Sequence, residues 1–146
     1  MNPDRFEQLY IGQESVFSHQ ITDEDVQKFI ELTGDINPLH LDDQFAVQRS
    51  FEKRVIHGML TASFVSTVIG TQLPGPGSLW YEHSFRFLRP VYVGQTIQVE
   101  VRVRHKSNAQ RVVALDVHVY GEGGEVVLEG EAKVKVLNPS KVGSLR

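Results

Sequence analysis

Residues 59–71 read MLTASFVSTVIGT, and the reading of that stretch decides the fold. Met59, Leu60, Ala62, Phe64, Val65, Val68 and Ile69 follow one another too closely for an alternating strand, and on a helix they occupy nearly every side. A helix that is apolar around its whole circumference belongs inside a protein, so this one is expected at the centre of the molecule. It is too short and too often interrupted, by Thr61, Ser63, Ser66 and Thr67, to cross a bilayer, which takes about 20 apolar residues. The Pro-Gly-rich LPGPGS, residues 73–78, ends it in a loop.

Beyond that loop the period changes to two. Ile97, Val99, Val101 and Val103 alternate with Gln98, Glu100, Arg102 and Arg104. Val113, Leu115, Val117 and Val119 repeat the pattern, as do Val126, Leu128, Ala132, Val134 and Val136. Gly121 to Gly124 is the expected hairpin turn between the last two runs. Residues 79–88 are expected to add a strand and residues 16–20 a short one, while the end after Leu137 reads as unpaired. Alternation of this kind describes an antiparallel sheet with one face in the core and one face wet. A buried helix and one long antiparallel sheet together imply an α+β layer arrangement in which the sheet wraps the helix.

Before the central helix, the segment from Thr22 to Leu32 has a helix start: Thr22 can cap, and Asp23, Glu24 and Asp25 set negative charge at the positive end of the dipole. Val26, Phe29, Ile30 and Thr33 form its stripe, and Gly34 stops it. Asn37-Pro38 forces a turn, after which Asp42 or Asp43 caps a short helix carrying Phe45 and Ala46.

At 146 residues, 40% hydrophobic and 23% charged, the chain is expected to be one globular domain spanning residues 1–146. A net charge of -3 gives no broad electrostatic footprint for nucleic acid. The absence of cysteine removes disulfides, thiolate metal sites and cysteine nucleophiles together and suits a reducing cytoplasm. The start, MNPDRFEQLY, has neither the basic nor the apolar region of a secretory signal.

Chemical groups are densest in Thr33-Gly34-Asp35-Ile36-Asn37-Pro38-Leu39-His40. Asp35 and His40 would not share one face of a helix, but a loop bent by Gly34 and Pro38 can turn both toward one point. A carboxylate and an imidazole meeting there can take a proton from a water and return one nearby. The same residues are also ordinary turn formers, and composition alone favours the turn. His57-Gly58 stands immediately before the central helix, where the Gly58 amide is an open donor at the positive end and glycine admits a ligand atom closely. His57 itself reads as structural. Ser63 and Ser66 lack the GxSxG elbow of a hydrolase, and no HExxH-like spacing marks a metal site.

Residues 29–46, FIELTGDINPLHLDDQFA, resemble the hydratase-2 signature of the MaoC-like family, with Phe29, Leu32, Thr33, Gly34, Asp35, Asn37, Pro38, Leu39, His40 and Ala46 filling its positions. The resemblance continues through VIHGMLTASFVSTVIG (residues 55–70) and FLRPVYVGQTI (residues 87–97), covering roughly residues 16–137, and is strongest to the short bacterial (R)-specific enoyl-CoA hydratases. It implies a hot-dog fold, a homodimer and an acyl-CoA substrate, with no metal or redox cofactor, no nucleic acid and no membrane. It further implies that Asp35 and His40 are the catalytic pair, that Asn37 supports the loop and that the Gly58 amide binds the thioester oxygen. Ser66 becomes a supporting residue, and Ile69 and Val134 line the acyl pocket. In such enzymes the product supplies polyhydroxyalkanoate synthesis from β-oxidation. A (3R)-hydroxyacyl-ACP dehydratase, a hot-dog thioesterase and a non-catalytic dehydratase subunit remain the alternatives; thioesterases lack the GDxNPxH run, and non-catalytic subunits tend to lose the Asp/His pair.

Overall fold

The structure is a computed structural model that describes residues 4–139. Its elements run α1 (Arg5–Gln8), β1 (Glu14–Gln20), α2 (Asp23–Thr33), α3 (Pro38–Leu41), α4 (Asp43–Val47), α5 (Gly58–Thr71), β2 (Ser78–Phe87), β3 (Thr96–Ser107), β4 (Val112–Tyr120) and β5 (Val126–Val136). The five strands form one antiparallel sheet in the order β1-β3-β4-β5-β2. Because β2 and β1 lie at opposite edges, the long connection from β2 returns to β3 beside β1, and the sheet curls around α5.

The period-two runs place their apolar members on the concave face. Ile97, Val99, Val101 and Val103 of β3, Leu115, Val117 and Val119 of β4, and Leu128, Ala132, Val134 and Val136 of β5 are buried together against Leu60, Ala62, Val65, Val68 and Ile69 of α5. The alternate residues meet water and one another, as in the Arg104–Glu131 ion pair at 2.7 Å. Three register shifts, at Trp80/Glu82, Val103/His105 and Val119/Tyr120, interrupt the ladders and add to the bend of this surface.

One expectation needs correction. Helix α5 is not enclosed on every side: Met59 is 57% exposed, and Ser63, Ser66 and Gly70 are exposed with it. Those four positions follow helical spacing and form one stripe. The sheet covers only the face opposite, since five strands curl too little to close around a helix. Met59 made the stripe look apolar in sequence, although Ser63, Ser66 and Gly70 complete it.

Three further elements differ from the sequence reading, the first being α3, a one-turn helix where only the Asn37-Pro38 turn was expected. Strand β1 begins at Glu14, earlier than the alternation around residues 16–20 shows. Helix α1, one turn long and capped by the Asp4 side chain, is too short for any periodicity to reveal. It seats Phe6 in the core under Lys106 and Arg111, whose cations lie 4.5 and 5.0 Å from the ring centroid. Beyond β5, Leu137 N–H donates to the Gly77 carbonyl at 2.9 Å, Asn138 and Pro139 join no element, and the rest of the tail lies outside the described residues. Among the described residues, no helix is long and apolar enough to cross a membrane.

Candidate active site

The site is assembled where α2 stops and α5 starts. Thr22 and Asp25 close a capping box at the head of α2, and Gly34 ends the helix in the left-handed region at φ 72°. That reversal sends Asp35 out of the helix. The Asp35 carboxylate accepts the Asn37 amide at 3.2 Å, while the Asn37 side chain caps α3 by accepting the Leu39 amide at 3.1 Å. Pro38 sits at the first position of α3, where its missing N–H costs nothing. His40 lands one short turn later, its amide bonded to the Asn37 carbonyl at 2.9 Å.

A second segment holds this turn from behind. Val55 N–H donates to the Leu39 carbonyl at 3.0 Å, and Ile56 N–H to the Val91 carbonyl at 2.7 Å. Arg54 anchors the same segment through Asp23, at 3.1 Å, at the start of α2. The Val55 carbonyl lies 2.7 Å from His40 Nδ1. A carbonyl can only accept, so Nδ1 carries the proton of the neutral ring and Nε2 keeps its lone pair free.

His57 completes the cluster. Asp35, His40 and His57 each bring a ligand-type atom within 4.8 Å of the others. His57 is 2% exposed, its Nε2 lies 3.1 Å from the Asp35 main-chain oxygen, and its ring faces that of His40 with centroids 3.8 Å apart. Burial pushes the His57 imidazole below its ordinary value, the bond to the Asp35 carbonyl opposes this, and the neighbouring His40 adds to the depression. Sequence reasoning passed over this residue as structural. The signal that marks it is its position directly before the glycine that opens α5.

The three groups form the nearest approach to a metal site among the described residues. Their arrangement suits one poorly. The two ring planes are only 29° apart, so lone pairs lying in those planes meet far beyond the ~2.0–2.1 Å at which imidazole binds zinc.

Helix α5 opens beside the cluster. His57 supplies no side-chain cap; its carbonyl accepts the Leu60 and Thr61 amides at 3.0 and 3.3 Å, so the open donors at the positive end of the dipole are those of Gly58 and Met59. A Cβ on Gly58 would stand 2.9 Å from Phe87 Cε1, so glycine is what lets that ring lie against the helix start. A cavity of about 290 Å³ adjoins it, lined by Gly58, Thr61, Val55, Phe87, Arg89 and Val127 among others. Asp35, His40 and His57 flank this cavity through Val55 and Gly58 rather than line it.

The remaining residues named from sequence lie elsewhere. Asn37 is within the loop, as its cap. Ser66 is on the exposed stripe of α5, and Ile69 and Val134 are fully enclosed in the core; none of the three lines the cavity beside Gly58.

A sequence model of the MaoC like domain matches residues 7–122. The chain belongs to the MaoC-like family. A 3-hydroxybutyryl-CoA dehydratase of Methylorubrum extorquens is 40% identical over 90% of this chain and 83% of its own length. An (R)-specific enoyl-CoA hydratase of Aeromonas caviae is 38% identical over 88% of this chain and 96% of its own. The solved structure of an A. caviae (R)-hydratase involved in PHA biosynthesis superposes with a TM-score of 0.86 at 37% identity, covering 90% of this chain and 99% of that one. The MaoC-like fold seen here is therefore the hot dog of the hydratases, with the Gly34–His40 turn carried on its central helix's flank.

Proposed function

We propose that this MaoC-like chain is an (R)-specific enoyl-CoA hydratase, a hydro-lyase that adds water reversibly to a trans-2-enoyl-CoA to give the (R)-3-hydroxyacyl-CoA. One observation carries the reading: the Asp35 carboxylate and a His40 ring with Nε2 free converge beside the uncapped start of α5.

The roles follow from those positions. Asp35 and His40 hold a water over C3 of the enoyl chain. His40 Nε2 takes its proton as the oxygen bonds to C3, and the C2=C3 pair shifts into the thioester as an enolate. The Gly58 amide donates to the enolate oxygen, where charge develops only in the transition state. Asp35, on the same face and carrying a proton on its carboxyl group in the substrate complex, gives that proton to C2 as the carbonyl re-forms, so the addition is syn and leaves Asp35 a carboxylate beside the His40 imidazolium. The pair has then exchanged one proton for another, and solvent returns it to its starting state. The thioester itself acidifies C2, so the reaction proposed needs no metal or redox cofactor.

The assembly proposed is a homodimer in the cytoplasm. Its support is the exposed α5 stripe around Met59 and the free edge strand β2, where Leu79 and Tyr81 are each 52% exposed; a second copy would cover both. Ser66 lies in that stripe and would face the partner there. The likeness to the A. caviae hydratase supports a product bound for polyhydroxyalkanoate synthesis. For Ile69 and Val134, the proposed acyl-pocket role places the chain end against the core layer they belong to.

The test is a steady-state assay on crotonyl-CoA and its longer homologues with chiral analysis of the product. The (R)-3-hydroxyacyl-CoA is expected. An (S) product, free CoA without hydration, or activity only on acyl-carrier-protein thioesters would each overturn the assignment.

A further inference from the structure

His57 takes no part in the proton transfers above, yet it is the most enclosed titratable group of the site. Its two nitrogens have unequal surroundings. Nε2 faces the Asp35 main-chain oxygen at 3.1 Å and must carry the proton, because a carbonyl cannot donate. Nδ1 is buried with no partner among the described residues. The ring is thus one fixed neutral tautomer; a second proton, at Nδ1, would create a buried charge with nothing to accept it.

Two aromatic rings contact this one. His40 lies against it at 3.8 Å, and Phe29 of α2 is tilted against it at 4.9 Å. The titratable groups facing it are His40, from α3, and Asp35, from the loop between α2 and α3; α2 offers only the uncharged Phe29. One side chain therefore touches the backbone that carries the carboxylate and the ring that carries the base.

We propose that His57 is the positioning residue of this site: its N–H fixes the Asp35 backbone while its ring backs His40, so that the carboxylate and the free Nε2 are held at a constant separation. The proposal deepens the hydratase reading and rests on it. In turnover a ring that stays neutral neither competes for the proton His40 takes nor repels the imidazolium that forms. Two stacked cations would do both.

Two variants of the full-length protein separate the contributions. His57→Phe keeps a ring behind His40 and removes the donor; His57→Gln keeps an N–H donor and removes the ring. Each is expected to lower kcat on crotonyl-CoA by about 10- to 100-fold, the scale of a misplaced reacting group, with KM little changed. Imidazole ¹⁵N shifts of the unaltered protein are expected to show His57 as the neutral Nε2–H tautomer throughout about pH 6 to 8, a range that spans the ordinary histidine value. Wild-type kcat in both variants would overturn the proposal. So would a charged or Nδ1–H His57 near neutrality, a result that does not depend on either variant folding. The shift measurement needs no turnover, so an unaltered protein inactive on every enoyl-CoA would sink the hydratase reading alone.

Discussion

The imidazoles of His40 and His57 lie face to face, with centroids 3.8 Å apart and planes 29° apart, and each donates its ring N–H to a different main-chain oxygen: His40 to Val55, His57 to Asp35. Two carbonyls thus set both tautomers. The result is a pair of like rings in unlike states, one half-open to solvent with a free nitrogen, the other sealed.

That sealed state has a consequence for stability against pH. The folded-state value of His57 is depressed, so the unfolded chain binds its proton first as pH falls. Stability from this group is complete above the ordinary histidine value of about 6.5 and is lost as pH falls from there toward the lower folded-state value. Thermal melts between about pH 5 and 8 are expected to show Tm falling on the acid side, with a shallower fall in His57→Phe. Equal slopes in the two proteins would contradict the burial argument.

Asp35→Asn and His40→Gln remove the proton donor and the acceptor while keeping similar volume. Each is expected to lower kcat by about 10²–10⁴ with little change in Tm. Since the two act on one water, the double variant should be little worse than either single one. Additive losses in a double-mutant cycle would show that they work independently.

Gly58→Ala places a methyl 2.9 Å from Phe87 Cε1. Either the ring moves into the cavity or the first turn of α5 shifts its amides, and about a 10- to 100-fold loss of kcat/KM is expected. Adding Phe87→Leu should recover part of the loss by vacating that space. Failure of any recovery would mean that the Gly58 contact with Phe87 is not what the alanine disturbs.

Met59 is the large apolar member of the exposed α5 stripe. In the homodimer proposed above, Met59→Asp is expected to shift sedimentation from twice the chain mass toward the monomer. An unchanged mass in the variant would place the dimer contact elsewhere.

In the core, Leu115 is fully enclosed between α5 and its neighbours on the sheet. Leu115→Ala should cost about 2–5 kcal/mol in denaturant unfolding while leaving kcat per folded molecule unchanged. A kcat loss at full folding would imply that the sheet layer is coupled to the site.

What the sequence disclosed follows from the range of the forces involved. Strands β3 to β5 were legible because alternation is imposed residue by residue. The stop at Gly34 and the turn at Asn37-Pro38 were legible because each is set by its own neighbours, whereas the one-turn helix that Asn37 caps is too short for a periodicity to show. The nearness of Asp35 and His40 came from the same local bend, together with the family signature. The standing of His57 was hidden, since its bond to Asp35 and its contact with His40 join segments that meet only after α2 and α5 have packed. The stripe of α5 was hidden for a different reason: a hydropathy pattern counts apolar residues but does not say how far a sheet will curl.

Phe6 bears on the order in which the molecule can be made. The ring is 3% exposed, and the turn that carries it is fastened by Asp4 to Arg111 through two bonds of 2.6 and 2.7 Å. Arg111 and Lys106 lie far along the chain, so the turn around Phe6 cannot make these contacts until β3 and the turn after it have emerged. Phe6 is therefore among the last of these apolar side chains to be sheltered, and nascent chains halted before residue 106 should display it to chaperones.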